Sequence, residues 1–467
     1  MSQAVIKENR MGTEPLNSLL LKTGIPLVLS MLVQALYNVV DSLFVSRLSQ
    51  EAFNAVSLAF PIQNIMIAIA AGTGTGLVAL ISRALGKKKP DEATSFTMHG
   101  ILLMAASYAL VCILGSALAE PFFRSQTDIE AIVVSGVAYT RICCIFSFGL
   151  FGQVLIERLM QSVGKSILSM WTQLAGAITN IILDPIFIFG AFGIEPMGVA
   201  GAAVATVVGQ IVSFVVGIIL FQKYNNDIKL SFKGFRPSGR VVAEIYKIGF
   251  PSTLTLGIGS VMTYMMNRLL ISLEPTATAA AVFGAYFKLQ SFLVMPTVGL
   301  SHAMTPIVGF NLGAKNKARM LGVYKLSIIY ATVYMILGTI VTFSLPGVLL
   351  SLFNATDNML EIGIPAFRII CFSFLFIAFN IMSSSFFMAC GKSLIALVMS
   401  SIRQLIVLIP VAYLLGYTIG YSAVWFAVPA AEFTALVVAC VGMLRINKTM
   451  LSALPDIKPE SAVTETV

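Results

Sequence analysis

The chain has 467 residues, of which 57% are hydrophobic and 11% are charged, and its formal net charge at pH 7 is +9. A soluble globular protein carries about 25% charged residues, so this composition excludes a soluble domain and predicts a polytopic membrane protein. The basic residues form no patch interleaved with aromatic residues, which argues against binding to nucleic acid.

The first predicted element is a polar tail over residues 1–15. It lacks the apolar core of a signal peptide, so we expect the helix that follows it to serve as the insertion signal. Twelve apolar stretches come next, and each has roughly the 20 residues that a helix needs to cross a bilayer. They lie at 16–45, 53–83, 94–119, 131–158, 164–190, 198–222, 241–271, 277–310, 319–346, 358–387, 391–416 and 421–445. The sequence therefore predicts an all-α integral membrane protein with twelve transmembrane helices.

The loops between these stretches alternate in charge. One set, which includes the two terminal tails, is rich in lysine and arginine, and the other set carries few bases. The basic set contains Arg83, Lys87, Lys88, Lys89, Arg158, Lys165, Lys223, Lys229, Lys233, Arg236, Arg240, Lys315, Lys317, Arg319, Lys392, Arg445 and Lys448. Basic loops stay in the cytoplasm, so we expect a multi-pass protein of the cell membrane with both termini cytoplasmic.

Short motifs recur in the two halves of the chain at a nearly constant spacing, which is 225 residues for the first pair and 227 for the others. The pairs are KTGIP at 22–26 with KIGFP at 247–251, Phe60 and Gln63 with Phe287 and Gln290, Gly86 with Gly313, Arg141-Ile142 with Arg368-Ile369, and GKS at 164–166 with GKS at 391–393. Each half holds six spans, so both halves enter the membrane in the same orientation and form parallel repeats. We therefore expect two six-helix lobes around a central cleft.

This repeat sets the expected domain boundaries. The first lobe is predicted over 16–222 and the second over 241–446. A basic cytoplasmic linker over 223–240 joins them, and a cytoplasmic tail over 447–467 ends the chain. Lobes of this kind rock against each other and expose a central site alternately to the two sides of the membrane.

The first predicted helix carries a polar face inside an otherwise apolar stretch. Its members fall at i, i+3, i+4 and i+7, on one side of the helix, and are Gln34, Tyr37, Asn38 and Asp41. A carboxylate at the centre of a bilayer costs at least about 2.5–3.5 kcal/mol on insertion scales, so Asp41 is expected to face protein or water. Pro26, upstream on the same helix, frees a backbone group and is a candidate bending point or hinge.

The fifth and sixth predicted helices repeat this pattern. Gln173, Asn180 and Asp184 share one face of the fifth helix. Thr206 and Gln210 share one face of the sixth. Polar faces on apolar helices look into the bundle, so we expect these side chains to border the cleft.

Asp41 and Asp184 are expected at a similar depth in the outer half of the first lobe. Two neighbouring carboxylates resist being charged together, so the pair could take up a proton and release it when the lobe opens. The same oxygens could instead hold a sodium ion. Two readings without an ion remain open: both acids satisfy buried polar partners, or Asp184, which precedes Pro185, lies at a helix end near the surface.

The second lobe does not copy these acids. Depending on where the spacing changes, Asn267 or Arg268 falls opposite Asp41, and an apolar stretch falls opposite Asp184. The acidic site is therefore expected in the first lobe alone.

The second lobe has charges of its own at other positions. Arg403 and Glu432 are expected at matching depth and are predicted to form a buried ion pair, with a structural role favoured over substrate binding. Lys288 either lines the cleft or extends its amine to an interface. The two histidines lie far apart and the cysteines show no metal-like spacing, so no metal and no other cofactor is expected.

Four stretches resemble a known transporter family. GIPLVLSMLVQALYNVVDSLFVSRLS, with AFPIQ and GTGTG after it, resembles the first two helices of the multidrug and toxic compound extrusion (MATE) transporters, and NIILDPIFIFG and GVAGAAVATVVGQ resemble the fifth and sixth. The resemblance covers essentially the whole chain and is nearest to the bacterial DinF-like branch. It implies a secondary antiporter, expected here as a monomer in the lipid bilayer, that expels cationic amphipathic compounds in exchange for protons or sodium.

The resemblance also implies roles for individual residues. In the DinF-like branch a polar cluster in the first lobe carries the coupling ion, and Asp41, Asn180, Asp184 and Thr206 match it, with Tyr37 and Tyr139 beside it. Other branches place carboxylates in the seventh and tenth helices. This chain offers Asn267 in the seventh helix and no internal acid in the tenth, so protons are expected as the coupling ion rather than sodium.

Three other functions remain open from the residues alone. A flippase for lipid-linked oligosaccharides or their precursors would need a broad cationic cleft for phosphates, and deep bases are few, namely Lys288 and Arg403. An integral-membrane enzyme would need a clustered acid, metal or nucleophile site at the interface. A channel is disfavoured because the acids are confined to one lobe.

Overall fold

The computed structural model describes residues 9–225, 227–228, 230, 235–274, 276, 278–353 and 355–455, and every regular element in these ranges is a helix. Parts of three predicted segments, the tails over 1–15 and 447–467 and the linker over 223–240, lie outside the described residues.

Twelve spans run through the described part of the chain, two of them bent. They are α1 (Leu16–Ser46), α2 (Gln50–Gly86), α3 (Pro90–Arg124), α4 (Glu130–Ile145 and Phe148–Ser162), α5 (Ser166–Phe189), α6 (Gly198–Tyr224), α7 (Gly239–Leu273), α8 (Thr278–Gly313), α9 (Lys317–Ser344), α10 (Asp357–Ile370 and Ser373–Ala389), α11 (Ser393–Thr418) and α12 (Tyr421–Leu451). The prediction of an all-α membrane protein with twelve helices in two lobes is confirmed. Pro26 lies inside α1, which continues through it as one helix.

The two bends occur at equivalent places in the two lobes. The halves of α4 meet at 46° and those of α10 at 50°, and the two breaks are 225 residues apart. A break in each fourth helix of the lobe lets its second half lean toward the centre of the bundle. The sequence repeat therefore specifies a repeated distortion as well as repeated spans.

Four tight turns join successive helices at one end of the bundle, which we call the basic end. They lie at 87–89, 163–165, 314–316 and 390–392. Backbone φ is +58° at Lys88 and +59° at Lys315, although both are non-glycine residues, and it is +80° at Gly164 and +74° at Gly391. The residues of each pair are 227 positions apart, so the backbone follows the same repeat as the sequence.

The lobes contact each other near the basic end, where α2 crosses α8. A Cβ atom at Gly86 would lie 1.9 Å from the carbonyl oxygen of Phe310, and one at Gly313 would lie 2.0 Å from the carbonyl oxygen of Arg83. Only glycine permits this approach between two helix backbones. Gly86 and Gly313 are one of the repeated pairs, so each lobe presents the same residue to the other. We call this contact the glycine crossing.

Two further contacts close the same end. A Cβ atom at Gly72 of α2 would lie 2.8 Å from the carbonyl oxygen of Gly249 of α7. One at Gly299 of α8 would lie 2.8 Å from the Cα atom of Val28 of α1. The first two helices of each lobe thus form the lobe interface, and a cavity of about 580 Å³ lies between the lobes beyond it.

The short helix Arg10–Thr13 ties the start of the chain to the second lobe. Met11 is 1% exposed, and its carbonyl oxygen accepts hydrogen bonds from Asn311 (3.0 Å) and Arg319 (3.2 Å). Arg319 also donates to the carbonyl oxygen of Glu14 at 2.7 Å. These contacts fix the segment before α1 onto α8 and α9.

Candidate functional site

The predicted polar residues of α5 and α6 meet inside the first lobe. Asn180 donates from Nδ2 to Asp184 Oδ1 at 3.2 Å and to Thr206 Oγ1 at 3.5 Å. Asn180 and Asp184 are one helical turn apart, so their side chains lie on one face of α5. A Cβ atom at Gly209 of α6 would lie 2.8 Å from the carbonyl oxygen of Gly176 of α5. This close packing of small residues is what brings Thr206 within reach of Asn180.

Asp41 of α1 lies beside this group, near enough for its charge to act on Asp184. Asp184 is 0% exposed and Asn180 is 3% exposed. Within the described residues, three buried oxygens here have no hydrogen-bond donor: Asp41 Oδ1, Asp184 Oδ2 and Asn180 Oδ1. We call Asp41, Asn180, Asp184 and Thr206 the oxygen cluster.

The chemistry of the oxygen cluster is that of an acceptor site. Buried carboxylates that lack donors are costly as two separate charges, and either a proton or a hard cation relieves that cost. Asp184 is buried inside α5, which extends to Phe189, so it does not lie at a helix end. Among the described residues no group of three or more His, Cys, Asp or Glu side chains could hold a metal ion.

Hydrogen-bonded amides join α1 to α5 on the cavity side of the oxygen cluster. Gln173 Nε2 donates to Gln34 Oε1 at 3.0 Å, and Ser30 donates to Gln173 Oε1. Both glutamines line the cavity. This contact holds the polar face of α1 against α5 and so positions Asp41.

The cavity takes lining residues from both lobes. Seven of the predicted site residues are among them, namely Gln34, Tyr37, Asn38, Gln173, Asn180, Thr206 and Gln210. Asp41 and Asp184 do not line it, although they lie behind residues that do. The oxygen cluster therefore borders the cavity through its amide and hydroxyl members.

Three residues predicted for the cleft do not line this cavity. Tyr139 is 1% exposed, because it packs inside the first lobe and accepts a hydrogen bond from Gln63 Nε2 at 2.8 Å. Lys288 is exposed on α8, and Asn267 is half-buried on α7. Helix direction explains these differences, because the sequence gave depth along each helix but not the direction in which these three faced.

Arg403 and Glu432 form an ion pair in the second lobe. Arg403 Nη1 lies 2.8 Å from Glu432 Oε1, and Asn380 Nδ2 donates to Glu432 Oε2 at 2.8 Å. Arg403 lies in a π-helical turn, Ile402–Leu408, just before Pro410, which cannot donate a backbone hydrogen bond. Arg403 and Asn380 line the cavity, so the pair forms part of its wall.

The cavity also contains charged residues that sequence reasoning missed. Arg158 was expected in a cytoplasmic loop, and Glu157 was not considered. The second half of α4 extends to Ser162, so both residues lie inside a helix and line the cavity. The missed signal was the spacing of Gln153 and Glu157, which fall at i and i+4, the same spacing that identified Asn180 and Asp184.

These residues have separate partners. Glu157 Oε1 accepts from Gln153 Nε2 at 3.0 Å, whereas Arg158 Nη1 donates to Gln161 Oε1 at 2.9 Å. His302 of α8 also lines the cavity, and within the described residues its buried Nδ1 atom has no hydrogen-bond partner.

Comparison with known proteins gives a consistent result across the chain. Residues 26–186 and 251–414 match the family model MatE. The chain is 25% identical over 413 residues to the multidrug export protein MepA of Staphylococcus saprophyticus, covering 88% of this chain and 89% of that protein. It is also 25% identical over 422 residues to MepA of Staphylococcus aureus strain MRSA252, covering 90% and 91%.

Solved structures agree with these relatives. A MOP superfamily transporter from Pyrococcus furiosus superposes with a TM-score of 0.89 at 25% identity, covering 96% of this chain and 99% of that one. An outward-facing multidrug resistance MATE family transporter of the MOP superfamily gives the same four values.

Proposed function

The chain belongs to the MatE family, both of whose matched segments fall on its two lobes, and on that premise we propose that it exports amphipathic organic cations in exchange for protons. The oxygen cluster carries this proposal. It offers buried acceptor oxygens beside a cavity that both lobes line, which is the arrangement that an ion-coupled transporter requires.

Coupling requires that the ion and the substrate favour different states of the protein. A proton on the Asp41 and Asp184 pair removes a buried charge and favours a compact first lobe, because the side chains then need less water. Loss of that proton restores the charge and favours hydration of the same region. Asn180 and the contact between Gln34 and Gln173 lie between the acids and the cavity, so a change at the acids reaches the residues that line it.

We favour protons over sodium as the coupling ion. Sodium would draw on the oxygens of Asp41, Asp184, Asn180 and Thr206, which are its preferred ligand type. The second lobe contributes no acid at the corresponding helices, because α7 offers Asn267 and Glu361 lies near the start of α10. Two acids and no further carboxylate suit a shared proton.

The basic end is proposed to face the cytoplasm, with both termini on that side of the cell membrane. The glycine crossing and the other interlobe contacts close this end, so the conformation is the one that opens to the outside. The protein is proposed to act as a monomer, because both lobes that line the cavity come from one chain.

A flippase for phosphate-bearing lipids remains the second candidate because Arg158 and Arg403 line the cavity. Glu432 neutralises Arg403, however, and Glu157 adds a negative charge next to Arg158. The cavity therefore lacks the strong positive charge that phosphates would need, and a cationic substrate is favoured.

Exchange in proteoliposomes tests the proposal. Liposomes that hold the full-length protein and a cationic dye are exposed to a proton gradient or to a sodium gradient alone. We expect the proton gradient to drive dye movement in the wild type and in Asp128→Asn, whose exposed carboxylate serves as the matched control, but not in Asp41→Asn. Dye exchange that survives in Asp41→Asn, or that responds only to sodium, would overturn the coupling scheme.

A further inference from the structure

Glu157 is the one carboxylate among the described residues that line the cavity. Asp41, Asp184 and Glu432 all lie behind the lining. Of the two arginines in the lining, Arg403 is already neutralised by its ion pair. The negative charge available to a molecule inside the cavity therefore comes from Glu157.

The carboxylate of Glu157 is only half satisfied by the protein. Its Oε1 atom accepts one hydrogen bond from Gln153, and within the described residues its Oε2 atom has no protein donor and is not sealed from the cavity. Arg158 follows directly in the chain but makes no ion pair with it, because adjacent residues of a helix point in different directions. Glu157 thus presents an uncompensated negative charge within the membrane region.

The rest of the lining suits an apolar body attached to such a charge. Four methionines line the cavity and are contributed by both lobes: Met31, Met295, Met388 and Met399. Methionine is flexible and polarizable, so it accommodates varied apolar shapes. A volume of about 580 Å³ lies within the usual range for sites that hold drug-sized molecules.

We propose that Glu157 binds the cationic group of a lipophilic organic monocation in this cavity, at a place separate from the oxygen cluster. The proposal rests on the proposed function, and it adds the substrate's counter-ion. The cation contacts Glu157 Oε2 while Gln153 holds Oε1, and the apolar body packs on the methionines. The ion and the substrate then occupy different acids, so they act on each other through the protein and not by direct exchange at one carboxylate.

Equilibrium binding of radiolabelled tetraphenylphosphonium to the full-length protein in lipid nanodiscs tests the assignment. Loss of a charge-assisted contact is expected to raise the Kd of Glu157→Gln at least about tenfold. Binding of triphenylphosphine oxide, a neutral analogue, should change less than about twofold, because it has no cationic group for Glu157 to bind. Glu120→Gln, a surface acid on α3, is the matched control and should leave both values unchanged.

Two more variants make the outcome decisive. Asp41→Asn should keep tetraphenylphosphonium binding within about threefold of the wild type, because its carboxylate does not line the cavity. Arg158→Gln removes a repulsive charge and should tighten binding of this cation but not of the neutral analogue. If Glu157→Gln fails to fold, unchanged cation binding in Arg158→Gln overturns the proposal.

The results separate this proposal from the function on which it rests. A wild-type protein that neither binds nor exchanges tetraphenylphosphonium contradicts the proposed export of organic cations. A wild type that does both, with an unchanged Kd in Glu157→Gln, contradicts only the role of Glu157. Equal weakening of the cation and its neutral analogue in Glu157→Gln also overturns that role.

Discussion

The first lobe leaves the oxygens of two buried acids without donors, whereas the second lobe satisfies its buried acid completely. Asp41 and Asp184 each keep one unpartnered oxygen, but Glu432 bonds to Arg403 and Asn380 through both of its oxygens. The lobes are otherwise copies, with equivalent turns, equivalent bends and a shared glycine crossing. Duplication has kept what the fold needs, and the two lobes differ where an ion would be bound or released.

Neutralising the acids of the first lobe should have the largest effect. Asp184→Asn removes one of the two carboxylates and is expected to reduce dye exchange in proteoliposomes to the level of empty liposomes. Asn180→Ala should lower it strongly, because Asn180 is the donor to Asp184. The double change Arg403→Ala/Glu432→Ala in the second lobe should retain measurable exchange. Equal loss in both lobes would remove the functional distinction between them.

The ion pair of the second lobe should show its importance in stability. Arg403→Ala leaves Glu432 buried without its counter-charge and is expected to destabilise the protein by about 3–5 kcal/mol. The double change with Glu432→Ala should destabilise it less, because no lone charge remains. Melting temperatures of the purified variants measure this order. A double variant less stable than Arg403→Ala would contradict a structural role for the pair.

The glycine crossing tests what the lobes share. Gly86→Ala would place a methyl group against the backbone of Phe310, and we expect a destabilisation of about 1–3 kcal/mol. Gly313→Ala should have a similar effect, because it occupies the equivalent position. Gly257→Ala is the matched control, since nothing lies within 4 Å of its added Cβ atom. Thermal unfolding of the three variants would contradict the symmetry if Gly86 and Gly313 differed widely.

The smallest effect is expected at the N-terminal tie between the lobes. A hydrogen bond from Lys22 is the main cause that lowers the pKa of Glu14 from 4.5 to about 2. The stabilisation is therefore present above pH 4.5 and is lost as the pH falls toward 2. Because Lys22 is exposed, the effect should be below about 1 kcal/mol. Glu14→Gln should melt below the wild type at pH 7 and together with it near pH 2, and a difference that persists at pH 2 would refute the assignment.

Hydropathy and the repeat were sufficient to predict the architecture. Spans of about 20 apolar residues and a spacing of 225 to 227 residues constrain helix number and lobe symmetry strongly. The bends of α4 and α10 were not predicted, because neither Pro nor Gly lies at 146–147 or 371–372. The π-helical turn near Arg403 was also missed, since its position depends on how the backbone accommodates Pro410.

The site was predictable only in part, for a reason that concerns helix ends. A polar face inside a long apolar stretch, such as that of Asp41, can be recognised from spacing alone. Glu157 and Arg158 lie where the apolar stretch ends, and charge at such a place resembles a loop. The helix continues four residues past Arg158 to Ser162, which only the packing of the bundle determines.

The glycine crossing bears on how the two lobes separate. Attraction between closely packed atoms falls away within a fraction of an ångström, so a slight parting of α2 from α8 forfeits much of that attraction before water can enter. Half-parted arrangements are therefore sparsely populated, and the seal gives way in one step. Such an all-or-none seal guards the membrane against a continuous aqueous leak while the lobes exchange places.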